Sequence, residues 1–194
     1  MSVPAITYYG AWRGDRLADV VSDERFRWLI EHLSRPDGAG GRQVCPWAIV
    51  AQQEGRFYVG DARQNPSDAS TLAQIIENLV VEYRSYDTFR PPNKHPATLT
   101  VLIPDQIDGE LITAALDRYR RQFTPLGIML GALDPFNSLR SLTGGKGCPY
   151  VAPWNFLTVR WMVPGDYVFL NLDPDYKRIY CNYFGSWPEG TSSQ

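Results

Sequence analysis

The chain has 194 residues and a formal net charge of −2. Apolar residues make up 44% and charged residues 21%, a balance that supports one buried core and excludes a disordered chain. Basic residues are scattered, with no run longer than Arg120-Arg121, which argues against nucleic acid as a partner, and no apolar run approaches the roughly 20 residues of a membrane span.

Residues 1–20 mix Tyr8, Tyr9 and Trp12 with Gly10 and Gly14 and read as an arm that packs its aromatics on the body. Residues 1–5 lack the charged and apolar blocks of a secretory signal. Cys45, Cys148 and Cys181 are too widely spaced for a disulfide framework, so the expectation is a cytoplasmic protein with reduced thiols. A first helix is predicted from Ser22, whose hydroxyl can cap it, with Val21 and Phe26 at staple spacing. Phe26, Leu29, Ile30 and Leu33 then share one face. Arg35-Pro36-Asp37-Gly38 ends the helix, because proline cannot continue the hydrogen-bond ladder. Gly38, Gly40 and Gly41 lead into Arg42-Gln43-Val44-Cys45-Pro46-Trp47.

Residues 56–60 read as a strand. Asn65-Pro66-Ser67-Asp68 breaks it and offers caps for a second helix, in which Leu72, Ile75, Ile76, Leu79, Val80 and Tyr83 match the helical period. Residues 90–96 form a loop with three prolines, and residues 99–103 a strand that Pro104 stops. A third helix follows Asp108, with Leu111, Ile112, Ala115, Leu116 and Tyr119 on one face, and ends at Thr124-Pro125-Leu126-Gly127. Residues 128–131 form a short strand. Residues 134–153 lack periodicity and include Gly144-Gly145-Lys146-Gly147, a long loop of the kind that often carries function. Residues 156–162 form the last strand, and Asp173-Pro174-Asp175 opens a closing helix to about Phe184. These elements predict an α+β fold: a two-layer single domain over residues 21–185, with a small, partly antiparallel sheet and helices packed on it. Residues 186–194 are expected as a loose tail.

Cys45 is the first candidate for chemistry. It reads as a small buried hydrophobe, as a nucleophile served by His32 or His95, or as an axial thiolate ligand to haem. It has no ligand partner at the spacing of a structural zinc site. Cys148-Pro149 repeats the Cys-Pro pair, and Cys181 sits among aromatics where burial is expected. His32 reads as a helix boundary residue and as a candidate cofactor contact. Gly144-Gly145-Lys146-Gly147 lacks the spacing of a phosphate loop, and no dinucleotide fingerprint follows a strand. Arg160 lies in the last strand among apolar residues. Pointing outward it would be solvated, and pointing inward it would need an anion, such as a substrate carboxylate or a haem propionate. Arg140 is a second such candidate. Asp134 and Asp166 stand at loop mouths without an obvious carboxylate partner for acid–base work. Trp47 and Trp161 are candidate walls of a pocket.

The runs Trp28-Leu29…Leu33…Arg35-Pro36 and Gly41-Arg42…Val44-Cys45-Pro46-Trp47 resemble the opening of an uncharacterised bacterial family, domain of unknown function 6875, which has a Val-Cys-Pro-Phe motif there. Leu126-Gly127-Ile128-Met129-Leu130-Gly131 is similar to its Gly-Leu-Met-Leu-Gly segment. Leu139-Arg140-Ser141 and Leu157-Thr158-Val159-Arg160-Trp161-Met162-Val163-Pro164-Gly165-Asp166 resemble the two blocks that follow. The chain departs where the family has His and Trp161 stands, and residues 142–152, with the second Cys-Pro, are an insert. In layout the chain also resembles haem-dependent N-oxygenases of bacterial specialised metabolism, through a cysteine element near the start and Phe169-Leu170-Asn171-Leu172-Asp173 before a short helix. That second resemblance implies haem.

Three readings follow. In the first, the chain is an enzyme acting on a small molecule, an oxidation at a haem held by Cys45, with Arg140 or Arg160 on propionates or a substrate carboxylate and the aromatics as walls. In the second, Cys45, the candidate metal ligand of the first, is instead a nucleophile without any cofactor. In the third, the protein binds a small molecule or a neighbouring enzyme without chemistry. The expected partner is a small-molecule substrate, with neither nucleic acid nor a membrane, and a homo-oligomer is compatible with all three.

Overall fold

The computed structural model describes residues 5–12, 23–35, 45–86, 97–136, 151–170 and 173–188. Among these residues, five strands form an open sheet: β1 (Thr7–Trp12), β2 (Phe57–Asp61), β3 (Thr98–Leu102), β4 (Ile128–Leu133) and β5 (Phe156–Trp161), in the order β1-β2-β3-β5-β4. Only β2 and β3 run parallel; the other three pairs are antiparallel. A parallel pair cannot be joined by a tight turn. Helix α3 (Ala69–Tyr86) is accordingly part of the crossover between β2 and β3. The sheet is therefore partly antiparallel, and the fold is one α+β domain.

Local sequence accounts for most helix boundaries. Helix α1 (Glu24–Ser34) is capped by Asp23, whose carboxylate accepts from the Arg25 N–H at 2.9 Å. The cap thus falls one residue beyond Ser22, which lies outside the described residues. Phe26, Leu29, Ile30 and Leu33 are buried, as their spacing predicts. Helix α2 (Pro46–Gln53) starts directly after Cys45, with proline in its first turn where a missing N–H leaves no intrahelical bond unmade. No helix is predicted there from the periodicity. Helix α4 (Gly109–Phe123) is capped by Asp108 and ends in a 3₁₀ turn closed by Gly127, whose φ of 77° suits glycine. The short α5 (Tyr167–Leu170) precedes α6 (Pro174–Phe184), which Asp173 caps. Within the expected N-terminal arm, residues 7–12 form β1, with a bulge between Tyr8 and Gly10.

One face of the sheet packs on α3 and α4. Leu72, Ile75, Ile76, Leu79 and Tyr83 from α3, with Ile112, Leu116 and Tyr119 from α4, meet Leu99, Val101, Leu157, Val159 and Trp161. These two layers match the expectation, but helices on the opposite face add a further layer to the two expected. The other face is covered in two places. Over β2, α1 and α2 close on Phe57, Val59, Leu102 and Phe156. Beside β4, Met162, Leu170 and Tyr180 form a smaller apolar group with Met129 packed against it.

Between these two groups the same face is polar. One row across the sheet runs Phe57, Thr98, Arg160, Met129, and the next runs Val59, Thr100, Thr158, Gly131. Thr100 and Thr158 bond to one another through their hydroxyls at 2.9 Å. A third row, Asp61, Leu102, Phe156, Leu133, returns to apolar side chains in its centre. Strand alternation thus lays a strip of hydroxyls and one guanidinium between two apolar clusters.

Candidate functional site

Arg160 points into the protein, and its anion is Asp166. Nη1 donates to Oδ2 at 2.7 Å and Nη2 to Oδ1 at 2.5 Å. Nη1 also donates to the Trp161 carbonyl, and the Val163 N–H donates to Asp166 Oδ2 at 2.8 Å. Asp166 is fully buried. Burial works against the Arg160 charge, but the adjacent Asp166 outweighs it and holds the guanidinium firmly protonated. The anion foreseen as a substrate carboxylate or propionate is thus supplied from within the chain. Its signal in the sequence was the acid six residues beyond Arg160, just after the Pro164-Gly165 turn.

Cys45 stands at the N-terminal end of α2, and its N–H donates to the Leu33 carbonyl of α1 at 3.2 Å. The residue is half-buried as a whole, yet its sulfur sits where burial dominates and pushes the thiol pKa up. Arg160 is the strongest opposing influence, followed by the N–H groups of Ala48 and Trp47; Asp166 adds to the rise. Neither amide closes a capping hydrogen bond. The resting sulfur is therefore a protonated thiol beside groups that favour its thiolate.

Trp47 completes this group from the first turn of α2. Its indole lies close against Gly165, where an added Cβ would stand 3.2 Å from Cζ2. Glycine lets the ring approach the backbone next to Asp166. Cys45, Trp47, Gly165, Asp166 and Arg160 thus converge from α2, β5 and the turn after β5.

The other sequence candidates lie elsewhere. His32 is buried on α1 and stacks on Trp28, with ring centroids 4.4 Å apart. Trp28 in turn meets Trp154 and Phe156. Trp161 is separated from the site by the sheet itself: it follows Arg160 in β5 and so faces α3 and α4, beside Tyr83. Its indole N–H is buried with no hydrogen-bond partner among the described residues. Asp134 ends up beyond β4, where its carboxylate accepts from the Phe136 N–H. Cys181 is half-buried on α6. Arg140, His95, Cys148 and Gly144-Gly145-Lys146-Gly147 lie outside the described residues.

Sequence reasoning missed Thr98, which β-sheet register sets directly across from Arg160. It also missed the role of Gly165. Register across non-neighbouring strands leaves no mark in a linear chain.

Among the described residues, no three His, Cys, Asp or Glu side chains gather as a metal site, and no helix is long and apolar enough to cross a membrane. No curated protein and no solved structure matches the chain. A family model does match, over residues 22–193. The chain therefore belongs to the family described as Domain of unknown function (DUF6875).

Proposed function

We propose that this protein is an enzyme acting on a small molecule, and that its working group is the Cys45 sulfur, serving as thiolate ligand to a haem iron. The observation that supports this reading is the placement of Cys45 at the N-terminal end of α2, whose Trp47 rests on the turn beside the Asp166 that fixes Arg160. A nucleophilic cysteine needs a base to take its proton. Among the described residues, the charged groups that act most on this sulfur are an arginine, which stays charged, and Asp166, which is committed to that arginine and to the Val163 N–H. A metal needs no such base, because coordination itself releases the thiol proton.

The donor set fits haem better than a bare ion. A bare zinc site takes several side-chain ligands, and no such cluster occurs among the described residues. Haem brings its own ring nitrogens and needs only an axial donor from the chain. Bound haem would supply the oxidation chemistry. The chain's own residues do the rest. Arg160 and the α2 amides offset the charge on sulfur, Asp166 fixes Arg160, and Trp47 sets one wall. Arg160 does not hold propionates on this reading, since its fork is filled by Asp166. The reduced thiols point to the cytoplasm as the setting, and the resemblance to haem-dependent N-oxygenases implies bacterial biosynthesis of a small molecule.

The test is an absorption titration with haemin, followed by Cys45→Ala. A stoichiometric Soret band that Cys45→Ala shifts or abolishes is the expected result. A featureless spectrum, with no gain on adding haemin, would remove haem, and an unchanged band in the variant would remove Cys45 as its ligand. The second reading, Cys45 as a nucleophile, draws on the same cation and amides. It requires a thiol pKa well below the free value of roughly 8.5, which pH-dependent alkylation reports.

A further inference from the structure

Thr98 is buried, at 6% exposure, yet its hydroxyl has no hydrogen-bond partner among the described residues. It stands opposite Arg160 on the face shared with Phe57 and Met129. A neighbouring hydroxyl pair on the same strip, Thr100 and Thr158, is satisfied. An orphaned buried hydroxyl is costly, and next to a candidate site it is what a ligand's polar group would complete. The charge balance of the strip limits the ligand. Asp166 already fills the Arg160 fork within hydrogen-bond distance, so the open polar group of the strip is the uncharged Thr98 hydroxyl. Apolar clusters flank it on both sides, the usual make-up of a small-molecule pocket.

We propose that Thr98 contacts the small molecule of the Cys45 site, and that this molecule offers it an uncharged hydrogen-bonding group, such as an amide or alcohol, rather than a carboxylate or phosphate. The inference rests on the Cys45 face being the site, but not on haem. A missing Soret band would leave it standing, and the outcomes below bear on it alone.

The first readout is the stability of the ligand-free protein. Thr98→Val keeps the shape and removes the orphan hydroxyl, so the melting temperature rises by about 2–4 °C. A lower melting temperature means the hydroxyl is already satisfied within the protein and overturns the proposal. The second readout is thermal stabilisation by two matched probe pairs, benzamide against benzoate and isobutyramide against isobutyrate. The amides stabilise the wild type more than the acids, Thr98→Ser keeps this effect, and Thr98→Val loses most of it. Stabilisation by the acids equal to or above that by the amides, stabilisation by neither, or an undiminished amide effect in Thr98→Val would each contradict the assignment.

Discussion

At one end of the sheet face, Arg160 meets Asp166 as a closed pair, with side chains 13% and 0% exposed. At the other end, Asp61 and Asp23 share Arg63, while Arg25 reaches both Asp23 and Asp105. That second group is more open, with Arg63 at 22% exposure, and Tyr9 donates to Asp61 from the edge strand. Both ends contain bidentate arginine–carboxylate contacts. They differ in solvent and in redundancy. In the second group Arg25, Arg63 and Asp23 each have two charged partners, whereas Arg160 and Asp166 depend on each other. Removing a partner from a buried pair leaves an uncompensated charge, whereas an exposed pair is screened. The closed pair acts on the Cys45 sulfur in both directions, Arg160 favouring the thiolate and Asp166 opposing it.

The largest expected effect breaks the closed pair. Asp166→Ala strands the Arg160 charge and costs about 3–5 kcal/mol in urea denaturation. Replacing both partners, Arg160→Met with Asp166→Leu, recovers most of that loss. If Asp166→Ala cost no more than a change in the open group, the contrast between the two ends would be lost. Next in size is Gly165→Ala. It pushes on Trp47 and costs about 1–3 kcal/mol, as overpacking does, with a change in Trp fluorescence. A silent substitution would mean that the indole does not rest on this turn.

Smaller still is Arg63→Ala, at about 0.2–1 kcal/mol and shrinking as salt is raised. A salt-independent loss of several times that size would place it with the closed pair. The smallest effect is a pH slope. Burial, then the nearby Asp23, raises the Asp61 carboxyl above its ordinary value. Stability tied to that shift is complete below the unfolded value and is lost as pH rises through the folded one. Asp61→Asn flattens this part of the stability–pH curve, and a curve parallel to the wild type would contradict the assignment.

How far the sequence carried this account depends on the physical cause of each feature. Helices α3 and α4 were readable because each presents one apolar stripe to the sheet, and their period survives in the linear order. Helix α2 was not, because Pro46-Trp47-Ala48-Ile49-Val50-Ala51 is apolar without alternation, and periodicity cannot sort such a run. Strand β1 was hidden by its bulge, which breaks the period of two. Cys45, Trp47 and Arg160 were readable as candidates from their chemistry. Their convergence was not, nor was the separation of Trp161 from Arg160, since both depend on which face of β5 each side chain takes. Thr98 could be found only once β3 and β5 were known to pair.

The most direct test of the central claim is the pH dependence of Cys45 alkylation by iodoacetamide, read by mass spectrometry of the Cys45 peptide. A raised thiol pKa keeps sulfur protonated through neutral pH, so the rate stays low and climbs only above the free value of roughly 8.5. That outcome fits a thiol waiting for a metal to take its proton. Fast alkylation that levels off near neutral pH would show a free thiolate, contradict the account, and make Cys45 a nucleophile instead.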